Sequence, residues 1–563
     1  MIRRAARILL LGLLLLLVLQ FFSILTFQPE SNTRPLPPAY KKGAYHVHSV
    51  FSDGRGDVAR IARAAARDGL DFVILTDHGR ANLKSSRATQ WLDDVLIIGA
   101  SEFSTSGGHL AALGYPAADY IFPPEPEAAI AEVNRSPIGS TFIAHPLSRQ
   151  IPWTDWQATN ISGVEILNGY QSARDASFFK MVSFPVQYLW NSDYALTALL
   201  KYPQRELQIW DRLLAQHRCW GINALDAHAQ LQLTRSWQLS IPSYEAMFRI
   251  MTLYVKVDRD WQSNASASAA TVLAAIRQGR FFSVIESLAP ANGFDCQLQL
   301  ADDRRLETGT VRPESSGSLV FRLPFEFATD IDIRRDGQIW RRIKRNLTHE
   351  VRVPLEKPGV YRSEIFISGS RFRRLPWILT NPVFLGVGDT PAHGAASPPP
   401  GARRDGVPLL QSEFDFQIEK NPASTADLKG ERNHSGEPKF LFNFHLRREA
   451  SGPDFWTALA SRRQRDFSGY RGIVFDALAD RRMLFWVQIR SGSEKRENAY
   501  RHSFMIDREW QTVVLPFDRL LHLYGDADRP DLKAIQSLFI MIDNEAAFSG
   551  QTGTVQLKNF GLY

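Results

Sequence analysis

YHVHSVFSDGRGDVARIARAAARDGLDFVILTDHG, residues 45–79, contains two short apolar runs on either side of one helical stretch. His46 and His48 are two residues apart, so on a strand both side chains leave the same face and can hold one ion. The second apolar run ends abruptly at residues 76–78, Thr-Asp-His. Between the runs, Asp57 is placed to cap a helix. The stretch therefore predicts strand, loop, helix and strand, with ligand-type side chains at both strand ends.

The same order, an apolar run followed by a ligand-type side chain, recurs in the sequence that follows. In a parallel β/α barrel the active-site side chains gather at the carboxyl ends of the strands. A repeated pattern of this kind does not fit independent structural histidines, and it predicts a barrel with a metal site at that end. The later runs are 95–98 before Glu102, 140–144 before His145, 163–164 before Glu165, and 221–225 before Asp226 and His228.

These residues resemble the signature of the PHP (polymerase and histidinol phosphatase) metallohydrolases. An H-x-H-S-x-x-S-D-G motif stands at residues 46–54, and T-D-H follows at 76–78. Further motifs are G-H-x-x-x-L-G at 108–114, A-H-P at 144–146 and D-A-H at 226–228. The ordered set is far more specific than any one motif. The resemblance implies a distorted PHP-type β/α barrel over residues 41–285, nearest the branch that includes carbamate-ester hydrolases.

The resemblance also implies which side chains hold metal ions. Imidazole and carboxylate ligands in a site open to water suit zinc, manganese or iron. Two or three divalent ions are expected, with Glu102 as a carboxylate bridge between two of them. The implied ligand sets are His46, His48, Glu102 and Asp226 for one ion, Glu102, His109 and His145 for a second, and Asp53, His78 and His228 for a third.

The implied reaction is metal-dependent hydrolysis, and a phosphate ester is the favoured substrate. A hydroxide that bridges the ions would attack phosphorus, and the ions would neutralise the developing charge. Asp77 and His228 are the catalytic candidates: Asp77 would hold His78 in its ligating tautomer, and His228 would ligate the ion near the departing oxygen. Arg80 and Arg149 follow ligand motifs and are candidates to bind the phosphate.

Two other functions remain open at this stage. The same metal site would also suit a carbamate, amide or carboxylic ester, because a metal-activated water attacks carbonyl groups equally well. An inactive glycan-binding protein is the second alternative. It predicts that metal-ligand residues are missing, but each motif quoted above retains its histidine or carboxylate residues. The expected substrate is a small-molecule or glycan-linked ester. Glu165 is interpreted as a strand-end residue that forms hydrogen bonds and not as a ligand.

The amino-terminal sequence predicts a membrane anchor over residues 1–30. Residues 8–27 are twenty uncharged and mostly apolar residues, which is long enough to cross a bilayer. No small-residue cleavage site follows them, so an uncleaved single-pass helix is expected. Arg3, Arg4 and Arg7 predict a cytoplasmic amino terminus, with the catalytic domain in the periplasm or outside the cell at the inner or plasma membrane. Residues 31–40 are a proline-containing spacer.

After the barrel the pattern changes to short strands. Residues 286–386 predict a small antiparallel β domain, and its segment WILTNP at 377–382 suggests that the domain packs back onto the barrel. Residues 387–410 form a Pro/Gly-rich linker by composition. Residues 411–563 predict a β-sandwich that resembles a galactose-binding-like jelly roll of the complex I intermediate-associated type, with a possible carbohydrate ligand. Trp486 and Trp510 are interpreted as core residues.

Composition narrows the class of protein further. The chain has 563 residues, 44% of them hydrophobic and 22% charged, which indicates several folded domains. Its net charge of +7 is spread along the sequence, and no nucleic-acid partner is expected. Cys219 is interpreted as a buried small hydrophobe. The aromatic-rich insertion at residues 170–217 is interpreted as packing helices, with a lid over the site as the alternative.

Overall fold

Helix α1 (Val58–Arg67) begins where the sequence puts its cap. The side chain of Asp57 accepts a hydrogen bond from the backbone N–H of Arg60. The helix buries Ile61 and three alanines against the first sheet. Gly69 follows in a left-handed conformation, with a φ of 65°, and turns the chain into the next strand. Cap, apolar spacing and terminal glycine together fix the strand–helix–strand unit predicted from residues 45–79.

The computed structural model describes residues 21–115, 120–232, 238–239, 241–258, 261–312, 316–323, 326–386, 416–432, 438–448, 455–493 and 496–563. None of the helices within these ranges combines the length and the apolar composition of a membrane span. Residues 1–20, which hold most of the predicted anchor, and the predicted linker at 387–410 lie outside the described residues. The chain divides into two compact units, residues 1–117 with 130–393, and residues 118–129 with 394–563.

The first unit contains β1 to β23 and most of the helices. The helices after α1 are α2 (Leu83–Ser86), α3 (Pro126–Asn134), α4 (Gly169–Arg174), α5 (Phe178–Trp190), α6 (Ser192–Thr197), α7 (Gln204–Leu214), α8 (Tyr244–Phe248) and α9 (Ala265–Arg277). The boundary between the units falls within α3, after residue 129. Its first strands are β1 (Tyr40–Val47), β2 (Phe72–Leu75), β3 (Gln90–Leu92), β4 (Val95–Gly99), β5 (Ser101–Thr105), β6 (Gly108–Leu113), β7 (Ser140–Ile143), β8 (Gly163–Asn168), β9 (Trp220–Ala224), β10 (Leu231–Gln232), β11 (Gln238–Leu239), β12 (Thr252–Lys256) and β13 (Phe281–Val284).

The predicted barrel strands lie in two sheets. β1, β2 and β4 are parallel neighbours in the larger sheet, and β7, β8 and β9 are parallel neighbours in the smaller one. β12 runs antiparallel beside β1, β13 runs antiparallel on the other side of β12, and β5 and β6 form an antiparallel hairpin. Isolated bridges, Val47 to Ala227 and His78 to Glu102, join the two sheets. Those bridges lie where the parallel strands end, so the ligand-type residues meet there.

The larger sheet continues past β13 into the region predicted as a separate β domain. β22 pairs with β13, and the first compact unit runs to residue 393, so residue 286 does not divide two units. Trp377 is fully buried and donates to the carbonyl of Ala289, while Asn381 accepts from the backbone of Gly221 in β9. These later strands are β14 (Asp295–Gln299), β15 (Arg305–Glu307), β16 (Val311–Arg312), β17 (Gly317–Arg322), β18 (Thr329–Arg335), β19 (Gln338–Asn346), β20 (Glu350–Leu355), β21 (Gly359–Ile367), β22 (Ile378–Thr380) and β23 (Val383–Leu385).

The second unit is the predicted β-sandwich. A six-stranded antiparallel sheet, in the order β24-β27-β33-β29-β30-β32, and a five-stranded sheet, in the order β25-β26-β34-β28-β31, enclose one apolar core. Two short 3₁₀ turns, Phe517–Arg519 and Leu532–Ala534, connect strands. The strands are β24 (Gln417–Lys420), β25 (Thr425–Arg432), β26 (Pro438–His445), β27 (Trp456–Ser461), β28 (Gly472–Ala479), β29 (Met483–Ser493), β30 (Arg496–Ile506), β31 (Gln511–Pro516), β32 (Leu521–Tyr524), β33 (Ile535–Asp543) and β34 (Thr552–Leu562).

Three expectations about single side chains have different outcomes. Cys219 is buried and free, and so is Cys296, as expected for small hydrophobes. Trp486 is fully buried, and its indole N–H donates to Asp543. The expectation for Trp510 is wrong: it precedes β31 and stays 39% exposed, because its ring lies under the Lys558 ammonium at the surface.

A buried cation ties the appended strands to the barrel helices. Arg362 on β21 is 2% exposed, and its guanidinium binds both carboxylate oxygens of Asp211 on α7 at 2.8 and 2.9 Å. The same guanidinium donates to Glu364 at 2.9 Å and lies over the ring of Trp210. Asp211 has little water around it, so its charge depends on this one side chain, whereas Glu364 also pairs with Arg334 at 2.6 Å.

Replacing Arg362 with Leu is expected to destabilise the first unit by about 3–5 kcal/mol, because Asp211 would remain charged and poorly solvated and Glu364 would keep only Arg334 as a cation partner. The measurement is the midpoint of thermal unfolding of the full chain in detergent. The control is Arg342→Leu on β19, whose side chain is 56% exposed, and this variant should unfold close to the unmodified protein. Equal midpoints for the two variants would contradict a supporting role for Arg362.

Candidate metal centre

The ligand-type side chains predicted from the sequence converge at the ends of the barrel strands. His46 is on β1 and His48 just after it, Glu102 is on β5, and His109 is on β6. The remaining residues come directly after strands or in the loop that follows β1, and these are Asp53, His78, His145, Asp226 and His228. Three groups with ligand atoms within 4.8 Å of one another are His48 with Asp53, His78 and His228; His46 with His48 and Glu102; and His78 with Glu102 and His109.

Glu102 lies at the centre of these groups and is 1% exposed. Its Oε1 is 2.8 Å from His109 Nδ1 and 3.0 Å from His145 Nε2. Its Oε2 is 3.1 Å from His78 Nδ1 and 3.4 Å from His46 Nε2. The two carboxylate oxygens therefore face different sets of imidazoles, which is the arrangement that a bridging carboxylate needs.

The tautomer of His46 follows from a buried partner. His46 Nδ1 donates to Glu165 Oε1 at 2.6 Å, so the lone pair of a neutral ring is on Nε2. That atom faces His48 Nε2 at 3.1 Å and Asp226 Oδ1 at 3.6 Å, besides Glu102. Lone pairs and carboxylate oxygens cannot satisfy one another without protons or a cation between them. The residues present thus fit a bound cation at this place.

A second such arrangement surrounds Asp53. His228 Nδ1 donates to the backbone carbonyl of Asp226 at 3.0 Å, which leaves its Nε2 facing Asp53 Oδ2 at 3.3 Å. His78 Nε2 is 3.5 Å from the same oxygen, and His48 Nδ1 is 3.4 Å from Asp53 Oδ1. The side chain of Asp53 is 50% exposed and that of His78 is 32% exposed, whereas Glu102 is buried. This side of the centre is open to solvent.

The electrostatics of the centre favour positive charge. Burial opposes charge on each carboxylate, but the neighbouring imidazoles outweigh it and hold the pKa values of Glu102, Asp226 and Asp53 well below their usual range. Burial also opposes charge on His145, yet the Glu102 carboxylate raises its pKa to about 9. The ionised carboxylates therefore attract cations, either protons or metal ions, into this pocket. Nitrogen and oxygen donors without a thiolate are compatible with divalent zinc, manganese or iron.

Three ligand-type residues have a strained backbone. His46, His145 and Asp226 have positive φ angles of 63°, 29° and 53°. Side chains other than glycine seldom adopt this region, and each instance costs about 1–3 kcal/mol. The neighbouring structure holds them. Glu165 Oε2 accepts from the backbone N–H of His145 at 2.8 Å, and the carbonyl of His46 accepts from the backbone N–H of Ala227 at 3.1 Å. The chain is bent so that the side chains face inward.

Two sequence expectations need correction here. Asp77 does not hold His78; its carboxylate accepts from the backbone and hydroxyl of Ser49, both at 2.8 Å, and from the hydroxyl of Ser52 at 2.7 Å. The side chain points back toward the loop after β1, so it fixes the loop that carries Asp53. Arg149 is 79% exposed and pairs with Asp175 at 3.0 Å. Arg80 is half-buried, and its phosphate-binding role stays a prediction.

Several positioning residues were missed or given too small a role. Glu165 does form hydrogen bonds, as expected, but its partners are the ring of His46, the backbone of His145 and the amide of Asn168. The ring of Tyr170 lies 4.8 Å from that of His228. Tyr244 donates to the carbonyl of His48 at 2.7 Å. The available signal was the position of Glu165 at a strand end, the same position that the ligand-type residues occupy.

Comparison with known proteins bears on both units. Residues 414–558 match the family model described as Complex I intermediate-associated protein 30 (CIA30). The comparison with curated proteins found no match. The CIA30 match confirms the resemblance inferred for the carboxyl-terminal sandwich.

Solved structures resemble parts of the chain at low identity. One is a two-domain protein containing a predicted PHP-like metal-dependent phosphoesterase from Bacteroides vulgatus ATCC 8482, with 15% identity and a TM-score of 0.31, covering 64% of this chain and 98% of that chain. Another is the family 11 carbohydrate-binding module of a cellulosomal cellulase of Clostridium thermocellum, with 16% identity and a TM-score of 0.23, covering 28% of this chain and 92% of that chain. A family 30 carbohydrate-binding module of a cellulosomal cellulase of the same organism has 14% identity and a TM-score of 0.22, and covers 26% of this chain and 91% of that chain. The function proposed below rests on the side chains of the site.

Glu165→Gln is expected to weaken metal binding about 10- to 100-fold, the usual effect of removing an outer partner of a ligand histidine. The Glu165 carboxylate uses one oxygen for the ring of His46 and the other for the backbone N–H of His145. The amide of Gln has a single acceptor oxygen, so it cannot keep both hydrogen bonds. The measurement is metal retained by the full chain against a graded chelator series. Glu286→Gln is the control, because Glu286 is also buried and pairs with Lys42 away from the centre. Equal retention by both variants would exclude the positioning role.

Proposed function

We propose that the chain is a metal-dependent hydrolase that acts on phosphate esters, anchored in the inner or plasma membrane and facing the periplasm or the cell exterior. The observation that carries the enzymatic part is the meeting of Glu102 with the imidazoles of His46, His78, His109 and His145 in a buried pocket with one open side. The PHP-like motifs support the same reaction class. The anchor and its orientation rest on residues 1–30 of the sequence alone.

The residues divide into those that would hold ions and those that position them. His46, His48, Glu102 and Asp226 form the buried part. Asp53 and His78 form the part in contact with solvent, and the buried His228 lies beside them. Divalent ions, when bound there, supply Lewis-acid activation of water and neutralise negative charge on a phosphoryl group. Glu165 keeps the proton of His46 on Nδ1, and the carbonyl of Asp226 does the same for His228.

Exposure indicates where a substrate would approach. His46, His48 and Glu102 are sealed by the fold, whereas Asp53 and His78 are in contact with solvent. Tyr170 covers one face of His228. A phosphate ester would therefore enter on the Asp53 and His78 side, and Arg80, two residues after His78, is placed in sequence to meet it. The buried side would exclude water other than the reacting molecule, which strengthens charge interactions there.

We also propose a carbohydrate ligand for the second unit. The outer face of the six-stranded sheet has a cavity of about 230 Å³, lined by Glu419, Trp456, Ala458, Arg490, Phe539, Met541, Asp543 and Asn544. Trp456 is partly exposed. The cavity therefore combines an aromatic ring with the carboxylates of Glu419 and Asp543 and the guanidinium of Arg490. Such a mixture suits sugar rings, which have apolar faces and hydroxyl edges.

Hydrolysis of an aryl phosphomonoester is expected from the full chain in detergent after loading with zinc or manganese. The variant His46→Ala/His48→Ala should lose more than 100-fold in activity, because removing ligands costs more than the about 10- to 100-fold loss caused by removing an outer partner of a ligand. His445→Ala on β26 of the second unit should keep full activity. Initial rates with phosphomonoester, phosphodiester and carbamate substrates give the comparison. Turnover of the carbamate alone would move the protein to the carbamate-hydrolase alternative. An inactive chain with its metals bound would contradict an enzymatic role.

Trp456→Ala is expected to abolish any retardation of the chain in gels that contain soluble β-glucan or agarose oligosaccharides, because the aromatic face of the cavity is lost. The matched control is Trp510→Ala, since Trp510 is also partly exposed but borders the other sheet. Retardation that survives in Trp456→Ala, or that is lost equally in both variants, would exclude this cavity as the sugar site.

A further inference from the structure

Helix α5 (Phe178–Trp190) has two apolar faces. Phe184, on the face toward the core, is 1% exposed, and Met181 and Tyr188 pack there too. At about 100° per residue, the exposed apolar side chains fall within an arc of about 120° on the opposite face. Their exposed fractions are 76% for Phe178, 82% for Phe179, 62% for Val182, 49% for Val186, 81% for Leu189 and 49% for Trp190. The expectation of packing helices is thus fulfilled by only one face of α5.

The apolar amino-terminal sequence ends beside this helix. The rings of Phe21 and Trp190 meet edge to face, with centroids 4.5 Å apart. Asn191, directly after α5, donates its side-chain amide to the carbonyls of Ile24 and Phe27 at 3.0 and 2.9 Å. The ring of Phe27 in turn packs 5.7 Å from that of Tyr194. The carboxyl end of the predicted anchor is therefore fixed against α5.

Basic residues surround the same place. Arg371 donates to the carbonyl of Ser23, to its hydroxyl at 3.0 Å, and to the hydroxyl of Thr26 at 3.1 Å. Arg373 and Arg374 follow it in the same exposed loop. Apolar side chains together with nearby arginines are the composition of surfaces that lie in the interfacial layer of anionic membranes.

From these contacts we infer that the exposed face of α5 docks into the headgroup layer of a lipid bilayer. If residues 8–27 cross the membrane, Phe21 lies six residues, or about 9 Å of helix, inside its outer end. Trp190, which touches Phe21, is then at the depth of about 5–10 Å at which interfacial helices sit. The inference rests on the anchor of the proposed function and adds a second, independent membrane contact within the catalytic unit.

The test measures the depth of one position on α5 in the full chain reconstituted in vesicles of phosphatidylcholine and phosphatidylglycerol. Val182→Cys carries an environment-sensitive fluorophore, and Leu347→Cys is the matched control, since the two side chains are 62% and 63% exposed. The native Cys219 and Cys296 are buried and do not compete for label. Phe179→Cys provides a second position on α5 if Val182→Cys folds poorly.

At position 182 we expect blue-shifted emission, at least threefold stronger quenching by a lipid-borne spin label than at position 347, and protection from aqueous iodide. Iodide quenching equal to that at 347 would overturn the inference. Protection from both quenchers would also overturn it, because another protein surface, a second copy or residues 1–20, would then cover α5. Vesicle flotation reports on the anchor separately: a chain that does not float refutes the anchor and the docking together, and one that floats with an exposed label refutes only the docking.

Discussion

The first unit depends on keeping the carboxylate of Glu102 charged away from water. A buried charge is unfavourable unless opposite charges and hydrogen bonds surround it closely. Imidazoles from several strand ends supply those contacts, and each imidazole needs a partner for its other nitrogen. Glu165 supplies that partner for His46, and the carbonyl of Asp226 supplies it for His228. The need for partners around Glu102 thus extends to the residues that bind its imidazoles, and it explains why strands of two sheets end at the same place.

Most of the centre could be predicted because its chemistry leaves a mark on short motifs. His46 and His48 share a strand face, and His78, His145 and Asp226 each end an apolar run, so local spacing already placed them. The direction of Asp77 could not be predicted, because it depends on Ser49 and Ser52 folding back over it. The antiparallel hairpin of β5 and β6 was equally hidden, since a short buried strand has the same apolar sequence in either direction. Nor could sequence spacing reveal that β22 pairs with β13, because that contact spans about a hundred residues of chain.

Helix α5 and the sandwich show that an apolar sequence pattern does not by itself predict burial. A run of aromatic residues predicts burial, yet α5 has more apolar side chains than one core face can cover. Trp486 and Trp510 were both interpreted as core residues, but one is fully buried and the other stays at the surface under a lysine. Composition therefore indicates that a surface is apolar, whereas only the packing decides whether protein, membrane or sugar covers it.

The left-handed backbone at His46, His145 and Asp226 has a consequence for how this protein is made. Glycine would relieve the local strain at each position but would remove the side chain that the centre needs. The chain without ions therefore holds this strain, together with imidazoles and carboxylates that need protons or cations between them, at the point where its two barrel sheets meet. On the proposed function, bound ions would offset both, and maturation and metal supply would then be linked steps. A cell short of the ion would then lose the protein to quality control before it lost the activity of each molecule.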